Sequence, residues 1–125
     1  MSKGLVTTFV VGTLLTILLM GVSSAEASEK AFRKCASCHS IEEGGKNKVG
    51  PNLWNIMNRG IGVEDYKYSK AFKKFAEENP MWTPELMDAW LENSKGLVKG
   101  TKMNFKERKE EKRQAIIDYL TSMGE

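Results

Sequence analysis

Histidine and cysteine are almost absent from this chain. One histidine and two cysteines occur in 125 residues, and all three stand together in Cys35-Ala36-Ser37-Cys38-His39. A closed zinc site wants four ligands, and no second Cys/His pair exists to complete one. A thioredoxin-like dithiol expects a βαβ context, yet no strand-like Val/Ile alternation appears. Repeats and low-complexity stretches are missing too. Neither charge dominates: the formal net charge is +3, too weak a balance to suggest a nucleic-acid partner. Residues 28–125 keep that balance, because Lys3 and Glu26 cancel.

What is present is a spacing with its own chemistry. Two thiols three residues apart, followed at once by an imidazole, form the c-type haem attachment motif. Each thiol can add to a haem vinyl group as a thioether, and His39 can then place a ring nitrogen on the iron. The pentapeptide also admits a redox dithiol, half of a zinc site or a disulfide. Haem attachment is preferred because a disulfide gives His39 no role and the other two lack their context.

The length allows one domain. Lys3 is the only charge before Glu26, and Gly4 to Ala25 is uncharged and rich in Leu, Val and Ile. Ala25-Glu26-Ala27 supplies a small-x-small cleavage site. Residues 1–27 are therefore expected to be a signal peptide, with an uncleaved membrane anchor as the alternative, since the apolar run is long for a signal. Either way, residues 28–125 face a non-cytoplasmic compartment, and the expected location is the periplasm. A segment this small has a small core of its own, and an apolar haem plate would enlarge it.

Helical signals dominate the rest. Ser28 is a candidate N-cap for a helix into Cys35, with Ala31, Phe32 and Cys35 on one face. Gly44, Gly45, Gly50 and Pro51 mark a loop. A short helical turn is expected to carry Leu53, Trp54, Ile56 and Met57. Ser69 is expected to cap a helix through Asn79, with Phe72, Phe75 and Ala76 inward. Thr83-Pro84-Glu85 is a strong start signal, followed by Leu86, Met87, Trp90 and Leu91 as a buried face. Gly96 and Gly100 bracket a further loop. A last helix is expected from about Lys106 to Met123, packing through Ile116, Tyr119, Leu120 and Met123. Its charged stretch from Lys106 to Arg113 reads as a solvated face.

With histidine exhausted, a methionine is the natural second axial ligand for a haem iron. Met1 and Met20 lie in the export segment. Met87 and Met123 fit helix faces, and periodicity alone leaves Met57 and Met81 open. Met103 differs, because it lies in the polar loop Gly100-Thr101-Lys102-Met103-Asn104-Phe105, where helix packing does not require it. His39 and Met103 are therefore the expected metal ligands.

At this point the sequence resembles the class I cytochromes c, the monohaem type of bacteria and mitochondria. The resemblance covers nearly all of residues 28–125. It rests on Cys-Ala-Ser-Cys-His at 35–39, Gly-Pro-Asn-Leu at 50–53, Asn-Arg-Gly at 58–60, Tyr-Lys-Tyr-Ser at 66–69 and Gly-Thr-Lys-Met-Asn-Phe at 100–105. It implies an all-α fold of about five helices around one haem c, bound through Cys35 and Cys38. It further implies that the Pro51 carbonyl holds His39, and that Arg59, Tyr68, Trp82 and Thr101 hold a buried propionate. Phe32, Leu53, Leu91, Phe105 and Leu120 would pack around the haem, with the first and last helices crossing near Phe32 and Tyr119. Departures from the family pattern accompany these matches. Ser28 replaces a glycine at the helix crossing, Trp90 a tyrosine near the methionine sulfur, and Phe72 a buried asparagine. Ser94 and Lys99 stand where prolines are common, which implies a more mobile Met103 loop.

The function so implied is not enzymatic. It is a monomeric single-electron carrier between a membrane-bound cytochrome reductase complex and an acceptor such as an oxidase or reaction centre. Lys34, Lys48, Lys95 and Lys102, with Lys46 and Lys99, are expected to ring the haem edge and steer docking to acidic patches. Two rival readings remain at the level of sequence. One is a peroxidase or ligand sensor in which Met103 does not ligate. The other is a tethered module in which residues 4–25 stay in the membrane.

Overall fold

The structure is a computed structural model that describes Gly4 and residues 24–124. The expectation for residues 1–27 therefore falls outside the described residues, apart from Gly4 and the last four. Among the described residues no helix is long and apolar enough to cross a membrane.

Five α-helices form the frame: α1 (Ser24–Ala36), α2 (Lys70–Glu78), α3 (Pro84–Glu92), α4 (Ser94–Leu97) and α5 (Glu110–Ser122). A 3-10 turn spans Ile56–Asn58, where a helical turn was expected. No strand occurs among the described residues, and Gly60 and Met81 make one isolated antiparallel bridge. Two helix starts follow local chemistry. The Ser69 hydroxyl accepts the Phe72 amide at 3.1 Å, and the Thr83 hydroxyl accepts the Leu86 amide at 3.1 Å. Each satisfies a first-turn N–H that would otherwise lack a partner. The one-turn α4 was not legible beforehand. The Asn93 side-chain oxygen caps it by accepting from Gly96 N.

Ser28 is a correction. It does not cap α1 but lies inside it, buried, with its hydroxyl donating to the Ser24 carbonyl one turn back at 2.9 Å. Its small side chain lies on the buried face with Phe32 and Cys35. There α1 packs on α5, and the Phe32 and Tyr119 rings meet at 4.8 Å. The core beneath is Met87, Trp90, Leu91, Ile116, Ile117 and Leu120.

The charged stretch 106–113 is the second correction. It is not simply a solvated face, because Glu107 and Arg113 are both buried. Burial of a charge is tolerable only when it is paired and hydrogen-bonded. Glu107 accepts from Lys34 at 2.5 Å, and its other oxygen takes the Lys109 amide at 3.1 Å. Arg113 forks onto both oxygens of Asp88 and donates to the Glu107 and Arg108 carbonyls. With Lys109 N held by a carboxylate and Glu107 N donating to Leu91 O, residues 106–109 are not helical, and α5 begins at Glu110.

The hydrogen bond from Lys34 holds the Glu107 carboxyl below its ordinary value of 4.5, helped by the Lys109 amide. A depressed carboxylate adds stability above its ordinary value and loses it as pH falls through the depressed one. Acid titration of stability should therefore show a component below about pH 4.5 that Glu107→Gln removes. An unchanged acid limb in that variant would break the assignment.

Candidate functional site

A cavity of about 270 Å³ opens between the loop after α1, the aromatic side chains of α2 and α3, and the loop after α4. Cys35 closes the last turn of α1. The Cys38 and His39 amides both donate to the Cys35 carbonyl, at 3.0 and 2.9 Å, which turns all three motif residues to the cavity wall.

His39 is held in one tautomer. Its Nδ1 lies 2.7 Å from the Pro51 carbonyl. A carbonyl can only accept, so Nδ1 carries the proton and Nε2 keeps its lone pair for a metal. Burial pushes the imidazole below its ordinary 6.5. The Pro51 hydrogen bond opposes that shift and nearby Lys48 adds to it. The ring is thus neutral, as ligation needs. Gly50 fits beneath it, where a Cβ would lie 2.2 Å from His39 Cε1. Burial pushes the Cys35 thiol up to about 11, with Cys38 adding to the rise and Lys34 opposing it. Once joined as thioethers, neither sulfur titrates.

Met103 lines the same cavity, together with Thr101 and Phe105 of its loop. Met57 and Met81, open on periodicity, do not line it. Met87 does, so a second thioether borders the space from the core face of α3. Among the remaining expected residues, Pro51, Arg59, Tyr68 and Trp82 all reach the wall, as do Leu53 and Leu120. Phe32 and Leu91 are corrections, being buried but away from the cavity. Phe32 is committed to Tyr119, and Leu91 points into the helical core.

The polar lining is particular. Arg59 donates to the Trp54 and Asn52 carbonyls at 2.6 Å each and sits 3.3 Å from Glu64. These bonds leave guanidinium donors to spare. Among the described residues the Trp82 indole N–H and the Thr101 hydroxyl have no hydrogen-bond partner, yet neither is a sealed, unsatisfied atom. Both residues line the cavity. Burial raises the Tyr68 phenol, partly offset by Arg59, so it remains a neutral donor. An apolar slot lined by an imidazole and a thioether, with several donors at its wall, fits a haem with a buried propionate.

Sequence reasoning missed Asn52. It is buried and ties the His39 loop together by donating to Ser40 Oγ and the Glu42 carbonyl while accepting the Trp54 amide. An asparagine after Gly-Pro was the available signal. Phe72 continues an aromatic wall, stacked on Tyr68 at 5.1 Å and edge-on to Trp90 at 5.5 Å. Of the expected lysine ring, Lys34 and Lys102 line the cavity. Lys48 is tied at 2.6 Å to the Ala36 carbonyl inside the haem motif. Lys46, Lys95 and Lys99 are exposed but do not reach the cavity.

Fold and cavity together define a small all-helical protein that attaches one haem near its N-terminal helix. Comparison with known proteins agrees. The Cytochrome c family model matches residues 25–124. A cytochrome c2 of Afifella marina is 40% identical over 96 residues, covering 75% of this chain and 77% of that protein. A cytochrome c homolog of Bradyrhizobium diazoefficiens is 36% identical over 110 residues, covering 86% of this chain and 58% of that protein. The solved cytochrome c2 of Rhodospirillum centenum superposes with a TM-score of 0.76 at 27% identity, covering 82% of this chain and 100% of that one. The chain belongs to the cytochrome c family, as a class I monohaem member carrying one covalently attached c-type haem.

Proposed function

We propose that this protein is a periplasmic single-electron carrier whose haem iron is held by His39 Nε2 and the Met103 sulfur. The observation that carries this reading is the placement of His39 and Met103 on one cavity, with Met57 and Met81 outside it. The haem supplies reversible one-electron cycling of iron. The chain supplies the setting. Pro51 fixes the His39 ring, Met103 raises the reduction potential as a thioether ligand, and the aromatic wall of Tyr68, Phe72 and Trp90 excludes water. Trp82, Thr101, Tyr68 and Arg59 provide donors for a propionate. With both axial positions filled there is no room for a substrate, so no residue is assigned a catalytic role.

Docking is proposed to be electrostatic, onto acidic patches of a reductase complex and of an oxidase or reaction centre. Lys34 and Lys102 border the cavity and Lys48 lies beside the motif, which supports steering. Screening shortens to about 10 Å at roughly 0.1 M salt. Electron-transfer rates to a membrane oxidase should therefore fall as salt is added, and salt-independent rates would remove the steering idea.

Residues 1–27 are proposed to be a signal peptide cleaved after Ala27. Intact mass spectrometry of the native protein is expected to give a chain starting at Ser28 plus one haem. A full-length mass would assign the anchored form instead.

A further inference from the structure

Ser94 is the first residue of α4 and is completely inaccessible (0% exposed). A hydroxyl so deeply buried must be satisfied by the chain itself. Its partners all lie in the Met103 loop. The Ser94 hydroxyl accepts the Phe105 amide at 2.9 Å and donates to the Met103 carbonyl at 3.0 Å. The Phe105 carbonyl lies 3.3 Å from the same oxygen, but the hydroxyl has one proton, and the Ser94 amide already reaches that carbonyl at 3.1 Å. One serine thus grips the peptide groups on both sides of Asn104, and its amide reaches the carbonyl after them. The expectation of a looser loop, drawn from the missing proline, overlooked this grip. A proline here would supply neither the hydroxyl nor the N–H.

The rest of the loop is tied to the same short helix. Val98 N donates to Ser94 O, and Thr101 N donates to Val98 O. Gly100 turns the chain at φ +95°, in the region that favours glycine. Among the described residues, no backbone group from Lys102 to Asn104 is held except by Ser94.

We infer that Ser94 is a positioning residue that holds the Met103 sulfur toward the iron by clamping the backbone of its loop. The inference rests on Met103 being the ligand. Without the clamp the loop would swing out more often, and the iron would accept an added ligand on that side.

The test is titration of the ferric holoprotein with imidazole, for the wild type and Ser94→Ala, with stability to denaturant measured alongside. Loss of the grip should tighten apparent imidazole binding about tenfold, because the binding-competent open state is more populated. The thioether–iron charge-transfer band should still be present in the resting variant. Unchanged imidazole affinity with the band intact overturns the clamp and leaves the Met103 reading standing, even if stability falls. A wild type without the band overturns the Met103 reading, and the clamp with it. Should Ser94→Ala fail to fold, amide exchange in the wild type decides. The Phe105 amide should exchange at least roughly a hundredfold slower than an open amide, and fast exchange overturns the clamp.

Discussion

Replacing Met103 by leucine is expected to abolish the thioether–iron charge-transfer band of the ferric protein. It should also lower the reduction potential by on the order of 0.2 V, a fraction of the roughly 0.8 V over which axial ligands move haem potentials. Leucine keeps the apolar volume, so the change removes the sulfur with little repacking. A thioether favours ferrous iron, which is why its loss lowers the potential. The decisive control is Met87→Leu, since Met87 also borders the cavity. Met87 is 2% exposed and packs in the α3 core, whereas Met103 sits on a loop without a helix face to fill. The band should survive in Met87→Leu. Its survival in Met103→Leu and loss in Met87→Leu would transfer the ligand role.

Among the described glycines, Gly50→Ala should be the most damaging added methyl. The new Cβ would lie 2.2 Å from Cε1, 2.7 Å from Nδ1 and 2.8 Å from Nε2 of His39. Neither side can retreat easily. Gly50 N donates to Cys38 O at 2.8 Å, Gly50 O accepts from Lys48 N at 2.9 Å, and the ring is bound to Pro51. Something must move, and the ring is the least constrained by backbone. Overpacking costs about 1–3 kcal/mol and occasionally more, and a 2.2 Å approach lies at the severe end. The yield of haem-loaded protein should collapse, and whatever forms should unfold at lower denaturant with altered axial ligation. A variant with the wild-type spectrum and stability would mean that the 39–51 loop yields freely.

Much of the site was legible because its signals are local. The haem motif is five consecutive residues, and Ser69 and Thr83-Pro84 announce α2 and α3 through bonds to amides three residues on. The Met103 loop stood out because thioether chemistry had no packing reason to be there. What was misread depended on distant partners. Glu107 looks solvated until Lys34, 73 residues away, is brought beside it, and Arg113 until Asp88 of α3 is. Ser94 read as a missing proline because its partners lie nine and eleven residues further on. Ser28 read as a helix start because its hydroxyl bonds one turn back, a pattern a sequence cannot separate from capping. Phe32, which the resemblance placed both beside the haem and at the crossing of the first and last helices, lies at that crossing against Tyr119.

The contact between Phe32 and Tyr119 bears on the order in which the molecule is made. These rings lie near opposite ends of the described chain, and α1 has its main helical partner in α5. Contacts so far apart in sequence carry a loop-closure cost before they stabilise anything. A chain that appears N-terminus first cannot complete this pairing until residues 110–122 have arrived. Until then the face of α1 that carries Ser28, Phe32 and Cys35 lacks its helical partner. Late closure leaves a window in which the thioethers can be made on an open chain, before the fold shuts the door on its own cysteines.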